Sequence, residues 1–389
     1  MVASTFLVMP LKVPPRFDLV QPLATWLDGD VQVDFQKIAN PLQWVVPKPD
    51  MTSFDCRSEL LRLAGLRNCL SESLQDSHKA ALQENALEDC YEYHAALLEF
   101  QKQGFPTLDD EQNGLNLCWK GAFALVQKET HHTLIWDRAC TLWNAAALLS
   151  SKISTTDLST KDGCKTAIAC SQTASSILST LQELVQSEDY STADLSQPML
   201  KFWQNVILAQ GQECVYKMAN LGDTVRQHST LAYLAEGACH LYNQALGYAQ
   251  DPRLQSEVPR QSQDWGAHCK STSMMLSAKA EFHLALEARQ HSQWGLELKR
   301  LERCIQKLVD CLEFGKTAGL QLQHVEQLWK LAKDRFTKAS QDNHQIYQDR
   351  IPQDVPEAIR AQQLVKSDLP LPNELLVPKV PLFTNNIKR

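Results

Sequence analysis

Glycine is scarce in this chain, 14 of 389 residues. An all-β fold with many tight turns needs more, so the shortage points to long helices. No stretch approaches the roughly 18 consecutive apolar residues that would cross a bilayer as a helix. A basic surplus is also lacking: 38 Lys and Arg stand against 45 Asp and Glu, a net charge of −7. That sign opposes neutralisation of nucleic-acid phosphates, and no nucleic-acid partner is expected. The 12 cysteines lack the close spacing of a disulfide framework and recur at apolar positions such as Cys140, Cys214, Cys304 and Cys311. They read as reduced core residues of a cytoplasmic protein. Met1 to Val13 has no basic n-region and is broken by Pro10, which makes a poor signal peptide. The final Ile387-Lys388-Arg389 carries no prenylation box.

Chemical motifs are missing too. No G-x-S-x-G elbow, H-E-x-x-H helix or glycine-rich dinucleotide turn occurs, so no catalytic residue and no cofactor is assigned. Phe314-Gly315-Lys316-Thr317 looks like the end of a phosphate-binding loop, but Asp310 stands where the earlier glycine belongs. A helix C-terminus using Gly315 explains it better. Cys90 and His94 are one helical turn apart, yet structural zinc needs about four ligands and no second pair is suitably spaced. No metal site is expected.

What the chain does contain is helical periodicity. Ile135, Ala139, Leu142, Ala146, Leu149 and Ile153 line one side of a packed helix, and Leu301, Cys304, Ile305, Leu308, Cys311 and Leu312 line an amphipathic one. Further helical tracts run over about 75–103, 163–186, 198–220, 225–249, 265–291 and 322–341. Short joins between them favour a bundle or a helix-hairpin solenoid. Thr5 to Leu11 is rich in strand formers and is expected as a strand. Residues 28–53 read as loop, and after Pro352 the chain turns proline-rich and extended. Lys299, Arg300 and Arg303 form a basic run that offers peripheral contact with an anionic membrane, against the commoner reading of a solvated face.

Two tracts have more apolar surface than a core stripe needs. In 198–220, Leu200, Trp203, Ile207, Gly211, Cys214 and Met218 fill one face, leaving Leu208 and Val215 to its side. In the next tract Leu231, Ala235, Ala238 and Tyr242 make a core set, with Thr230 and Leu234 on a neighbouring line. A wide buried face and a docking surface both fit this pattern.

Ordered blocks then carry a family resemblance. They are Pro10-Leu11-Lys12 with Asp18-Leu19-Val20-Gln21-Pro22-Leu23, Leu117-Cys118-Trp119-Lys120-Gly121-Ala122-Phe123, and Asp137-Arg138-Ala139-Cys140 leading to Leu142-Trp143-Asn144. Leu208-Ala209-Gln210-Gly211-Gln212-Glu213-Cys214, Asp342-Asn343-His344-Gln345-Ile346-Tyr347 and Leu364-Val365-Lys366 complete the set. Together they resemble the Alix-type Bro-one domain from about residue 5 to about 372. The resemblance implies one mainly α, banana-shaped domain over 1–372, with a tetratricopeptide-like solenoid core, a small N-terminal sheet and a proline-rich segment from about 352 packed on it; 373–389 would be a tail. It also implies a non-catalytic ESCRT adaptor in multivesicular-body sorting or membrane scission, cytoplasmic and recruited to endosomal membranes. Its partner would be the C-terminal amphipathic helix of an ESCRT-III core subunit of the charged multivesicular body protein four type. Matched residue by residue, the patch is Val215, Thr230 and Leu234, with Leu231 an alternative to Thr230 and Leu208 beside them. Val215 replaces an aromatic and Thr230 a branched aliphatic of the Alix pattern. On that footing Leu234→Asp is expected to abolish docking while helix content stays intact. Tyr347 matches a tyrosine engaged by Src-type kinases once phosphorylated, or is a ring packed where the tail meets the body. A rhophilin-like scaffold binding Rho or other helical partners is the alternative function.

Overall fold

The computed structural model describes residues 6–12, 54–74, 84–105, 116–123, 128–186, 190, 192–222, 227–355 and 359–383. The helices, in chain order, are α1 (Phe54–Leu74), α2 (Glu84–Lys102), α3 (Leu134–Thr155), α4 (Lys161–Leu184), α5 (Gln197–Asn220), α6 (His228–Ala249), α7 (Pro252–Glu257), α8 (Pro259–Gln290), α9 (Trp294–Thr317), α10 (Gln323–Asp342) and α11 (Asn373–Leu376). Among the described residues the only sheet is an antiparallel hairpin of β1 (Leu117–Lys120) and β2 (Lys128–His131), with Leu117 opposite His131. The mainly helical expectation holds, and the expected tracts 163–186, 198–220, 225–249 and 322–341 match α4, α5, α6 and α10 within a few residues, while α8 begins ahead of the expected 265–291 tract and α7 falls in no expected tract. The expected loop at 28–53 and the start of the 75–103 tract lie outside the described residues.

The chain divides into two compact units, one of Met1–Leu7, Ile153–Ser175 and Gln197–Leu369, the other of Val8–Lys152, Ser176–Ser196 and Pro370–Arg389. In the first, α5 packs on α6, α6 on α8, α8 on α9 and α9 on α10. The joins have local causes. Asp251 caps α7 by accepting from the Arg253 N–H at 2.9 Å, with Pro252 supplying the first helical residue. After α9 the chain turns at Gly319, whose φ is +69°, while Leu320 N–H bonds Gly315 O and Gly319 N–H bonds Lys316 O. This is a Schellman closure. The glycine that ends α9 is therefore Gly319, and Gly315 has another role: a Cβ there would meet Leu322 Cδ2 at 2.5 Å.

In the second unit α3 is buried almost all round, including Trp136, Trp143 and the predicted Ala139, Leu142 and Ala146. Its Asp137 takes bonds from Arg67 at 3.0 Å, from Tyr93 Oη and from Trp119 Nε1. Burial alone would lower the Arg67 pKa, but Asp137 outweighs it and holds the guanidinium above its ordinary value. Lys12 Nζ meets Asp194 at 2.7 Å with both side chains out of solvent, and Ala122 N–H adds a bond to the same carboxylate at 2.9 Å. Here too burial opposes the Lys12 charge and Asp194 more than restores it.

Of the strand expected over Thr5–Leu11, the described residues 6–11 form no ladder. Helical side chains satisfy the backbone there instead. Met9 N–H donates to Ser150 Oγ at 3.2 Å, Trp143 Nε1 to Pro10 O at 2.8 Å, and Asn144 both accepts from Lys12 N–H at 2.7 Å and donates to Lys12 O at 2.9 Å. Strand-forming composition fits any segment whose side chains alternate into a core, and the partner here is a helix rather than a strand.

Beyond Pro370 the chain packs into the second unit: Leu375, Leu382 and Phe383 are buried, and the Phe383 ring meets Phe100 edge-on at 4.9 Å. His94 anchors α11, its Nδ1 2.8 Å from Leu375 O, which fixes that nitrogen as the protonated donor. Burial, then the Arg138 charge, lowers the His94 pKa to about 3, against a raising effect of the Leu375 bond. Below the ordinary histidine range the unfolded chain therefore binds a proton that the folded chain refuses, and stability falls with pH. The expected loss is about 2 kcal/mol between pH 8 and pH 5. Urea unfolding of His94→Gln against the parent checks it, because the variant should lose that pH dependence.

Candidate functional site

α5 is buried on nearly every side from Met199 to Tyr216, which makes it the central helix of the first unit. The Phe202 ring stacks on Trp265 with centroids 5.2 Å apart, and Tyr242 Oη of α6 donates to Glu213 at 2.6 Å. Toward the other end of the α5–α6 pair lies an aliphatic cluster of Val215, Tyr216, Leu231, Ala232, Leu234, Ala235 and Ala280. Three of the residues matched from the sequence, Val215, Leu231 and Leu234, meet in this cluster. Their exposures are 7, 3 and 2%. Leu208, two turns before Val215, is also buried, while Thr230 is half-buried and its Oγ1 donates to Gln227 Oε1 at 3.2 Å.

Part of the cover on this cluster comes from the chain's own tail. Ile359 and Val365 pack against it, as do Ile168, Tyr233 and Leu284. The tail backbone is held by one buried side chain, Gln212: its Nε2 donates to Gln362 O at 2.8 Å and to Leu234 O at 3.3 Å, and its Oε1 accepts from Leu364 N–H at 2.9 Å. Gln362 N–H completes the seat by donating to Tyr233 O at 2.9 Å. Gly237 lets the tail approach, for a Cβ there would lie 2.2 Å from Gln362 O.

Next to the cluster is a ring network. Tyr216 Oη lies 2.8 Å from His283 Nε2, and the Nδ1 atoms of His283 and His228 are 3.4 Å apart. Lys279 sits over the Tyr216 ring, its pKa lowered by burial against the pull of Glu213. The basic run of α9 is answered internally: Arg300, Arg303 and Lys307 converge on buried Glu281 at 2.9, 3.2 and 3.4 Å, and Lys299 pairs with Glu302. Tyr347 is 41% exposed and stacks on Trp294 at 3.8 Å, with the Arg289 guanidinium also over the Trp294 ring. Asn343 closes the turn that carries Tyr347, bonding the backbone N–H and C=O of Asp349, whose carboxylate caps Gly295 N–H. Replacing Tyr347 by Ala should lower stability by only about 1 kcal/mol, the scale of one aromatic pair, as thermal unfolding will show. Cys90 is buried, its thiol pushed up by burial; among the described residues no group of three or more His, Cys, Asp or Glu is arranged to hold a metal.

A family model described as BRO1-like domain matches residues 33–385. The chain belongs to this family. Relatives include the ALG-2 interacting protein X of Dictyostelium discoideum, 26% identical over 69% of this chain and 33% of that protein. The programmed cell death 6-interacting protein of Xenopus laevis is 27% identical over 90% of this chain and 37% of that protein. The BRO1-like chain thus spans about a third of the length of these relatives. Among solved structures, the ALIX BRO1 CHMP4C complex superposes with a TM-score of 0.78 at 23% identity, covering 98% of this chain and 99% of that one. That likeness establishes the fold, and with it the solenoid architecture expected from the resemblance.

Sequence reasoning found the aliphatic residues and missed what lies on them. Gln212, Ile359 and Val365 were absent from the candidate set. A signal existed: two amides, Gln210 and Gln212, flank a glycine in the middle of a buried helix, and buried amides must find partners. Gln210 Nε2 donates to Leu7 O at 2.9 Å and Gln212 holds the tail.

Proposed function

We propose that this BRO1-like chain is a non-catalytic adaptor that docks the C-terminal amphipathic helix of an ESCRT-III core subunit along α5 and α6, at Val215, Thr230, Leu231 and Leu234 with Leu208 at the edge. The observation that carries the reading is the aliphatic cluster on α5 and α6, part of whose cover is the peripheral tail segment with Ile359 and Val365, beside Ile168 of α4 and Leu284 of α8. Helix-in-groove recognition needs such a surface, entered by partner anchors at i, i+3, i+4 and i+7. A fully buried aliphatic anchor gives about 1.5–3 kcal/mol, and micromolar affinity needs about 8 kcal/mol. Three or four anchors, less the costs of association, give a weak reversible dock, which a filament of repeated subunits strengthens by avidity. Recruitment to endosomal membranes then follows from the partner. No helix among the described residues is long and apolar enough to cross a membrane. The same reading takes Tyr347, with its exposed edge, as an acceptor for a tyrosine kinase.

Thr230 supplies the test, because it is half-buried and its substitution spares the cluster. Titration of ESCRT-III C-terminal peptides should give micromolar binding to the parent chain, weakened at least about tenfold by Thr230→Arg, a loss of about 1.4 kcal/mol, with an unchanged melting point. Equal binding by the two proteins would remove the site, and no binding by the parent would remove the function.

A further inference from the structure

Apart from Thr230, the residues assigned to docking are almost wholly buried, and part of what buries them is a segment of the same chain. We propose that Ile359–Val365 is a built-in occupant of the docking furrow, a latch that a partner helix displaces as it binds. The inference rests on the docking reading given above and adds a competition to it.

Three features mark the segment as a seated ligand. Its two aliphatic ends, Ile359 and Val365, pack on the cluster that holds Val215, Leu231 and Leu234, while Leu364 between them is 50% exposed. The body therefore grips alternate parts of the segment and leaves the rest in water. Its main chain is recognised through both polar groups of Gln362, the N–H by Tyr233 O and the C=O by Gln212 Nε2, and again through Leu364 N–H by Gln212 Oε1. Main-chain recognition of this kind is independent of side-chain identity, as in the capture of extended peptides. Finally, the seat has been cleared on the helix side, where Gly237 faces Gln362 O and a Cβ would lie 2.2 Å from it.

The contacts are also few enough to give way. One glutamine side chain, one backbone carbonyl and two half-buried aliphatic residues hold the segment, whereas the helices beneath it close against one another through Tyr242 and Glu213, and through Leu231, Ala232 and Ala235, without it. Release exposes Gln212, whose amide then faces solvent or the partner, and uncovers the aliphatic surface that an amphipathic helix needs. A domain whose furrow is filled in cis shows an affinity reduced by the fraction of molecules in which the furrow is open.

Gly237→Ala opens the latch from the helix side. Its methyl would occupy the place of Gln362 O, and alanine favours the α6 helix over glycine. Ile359→Ser with Val365→Ser opens it from the tail side and leaves α5 and α6 untouched, so a folding defect in one variant does not decide the matter. Fluorescence anisotropy of a labelled ESCRT-III C-terminal helix, titrated with the full chain, should show both variants binding about tenfold more tightly than the parent. On saturation of the parent, hydrogen exchange at the Gln362 and Leu364 amides should accelerate. Equal affinity in parent and folded variants, or slower exchange at those amides on binding, overturns the latch and leaves the docking reading standing. No binding by any of the three proteins overturns the docking reading and the latch with it.

Discussion

Asp137→Ala should leave the second unit unfolded at room temperature. The carboxylate is the shared acceptor for Arg67, Tyr93 and Trp119, and the Arg67 and Asp137 side chains are both fully buried. Removing it strands a guanidinium away from water, which costs about 3–5 kcal/mol when a buried pair is broken from one side. The orphaned Tyr93 hydroxyl and Trp119 indole N–H each add about 1–3 kcal/mol. The total rivals the whole stability of an ordinary domain, about 5–15 kcal/mol. Near-ultraviolet circular dichroism and urea unfolding measure the effect. Replacing Arg67 and Asp137 together by Met and Leu should recover much of the loss, since no unpaired charge is then left inside. If Asp137→Ala unfolds at the parent's urea concentration, the network is ornamental.

Leu234→Asp should collapse the first unit as well as abolish docking. Leu234 is 2% exposed and packed with Val215, Leu231 and Ala235. Truncating a buried leucine costs about 2–5 kcal/mol by itself, and a carboxylate placed there meets no cation in the cluster, which adds a further charge-burial penalty. The expectation from sequence is that helix content survives this change; the burial of Leu234 in the core makes a fall in stability the expected result instead. Circular dichroism at 222 nm against temperature will show it: a large fall in the melting point is expected for Leu234→Asp and none for Thr230→Arg. Retention of the parent melting point by Leu234→Asp would mean that the tail leaves the cluster open in solution.

These cases show which features were legible in the chain. Helical periodicity located α3, α5, α6 and α9, because a buried stripe leaves a repeating apolar signature whatever it packs against. The same signature says nothing about what the stripe meets. Val215 and Leu234 therefore looked alike whether they faced a partner helix or the segment Ile359–Val365, which lies more than a hundred residues further along the chain. Thr5–Leu11 failed for a related reason. Its composition announces an alternating, half-buried segment, and only the positions of Trp143, Asn144 and Ser150 decide that side chains replace a ladder. Gly315 and Gly319 are indistinguishable by type, and the one that closes α9 is set by where the hydrogen bonds of the last turn run. That Arg300 and Arg303 converge on buried Glu281 could not be read from the run Lys299–Arg303, because Glu281 sits on a different helix.

The central claim is that an ESCRT-III helix docks on α5 and α6. Hydrogen–deuterium exchange of the full chain with and without a saturating ESCRT-III C-terminal helix tests it most directly. The account predicts slowed exchange at the α5 and α6 residues around Val215 and from Thr230 to Leu234, together with faster exchange at Gln362 and Leu364. Protection confined to other helices, with α5, α6 and the 359–365 segment unchanged, would contradict it.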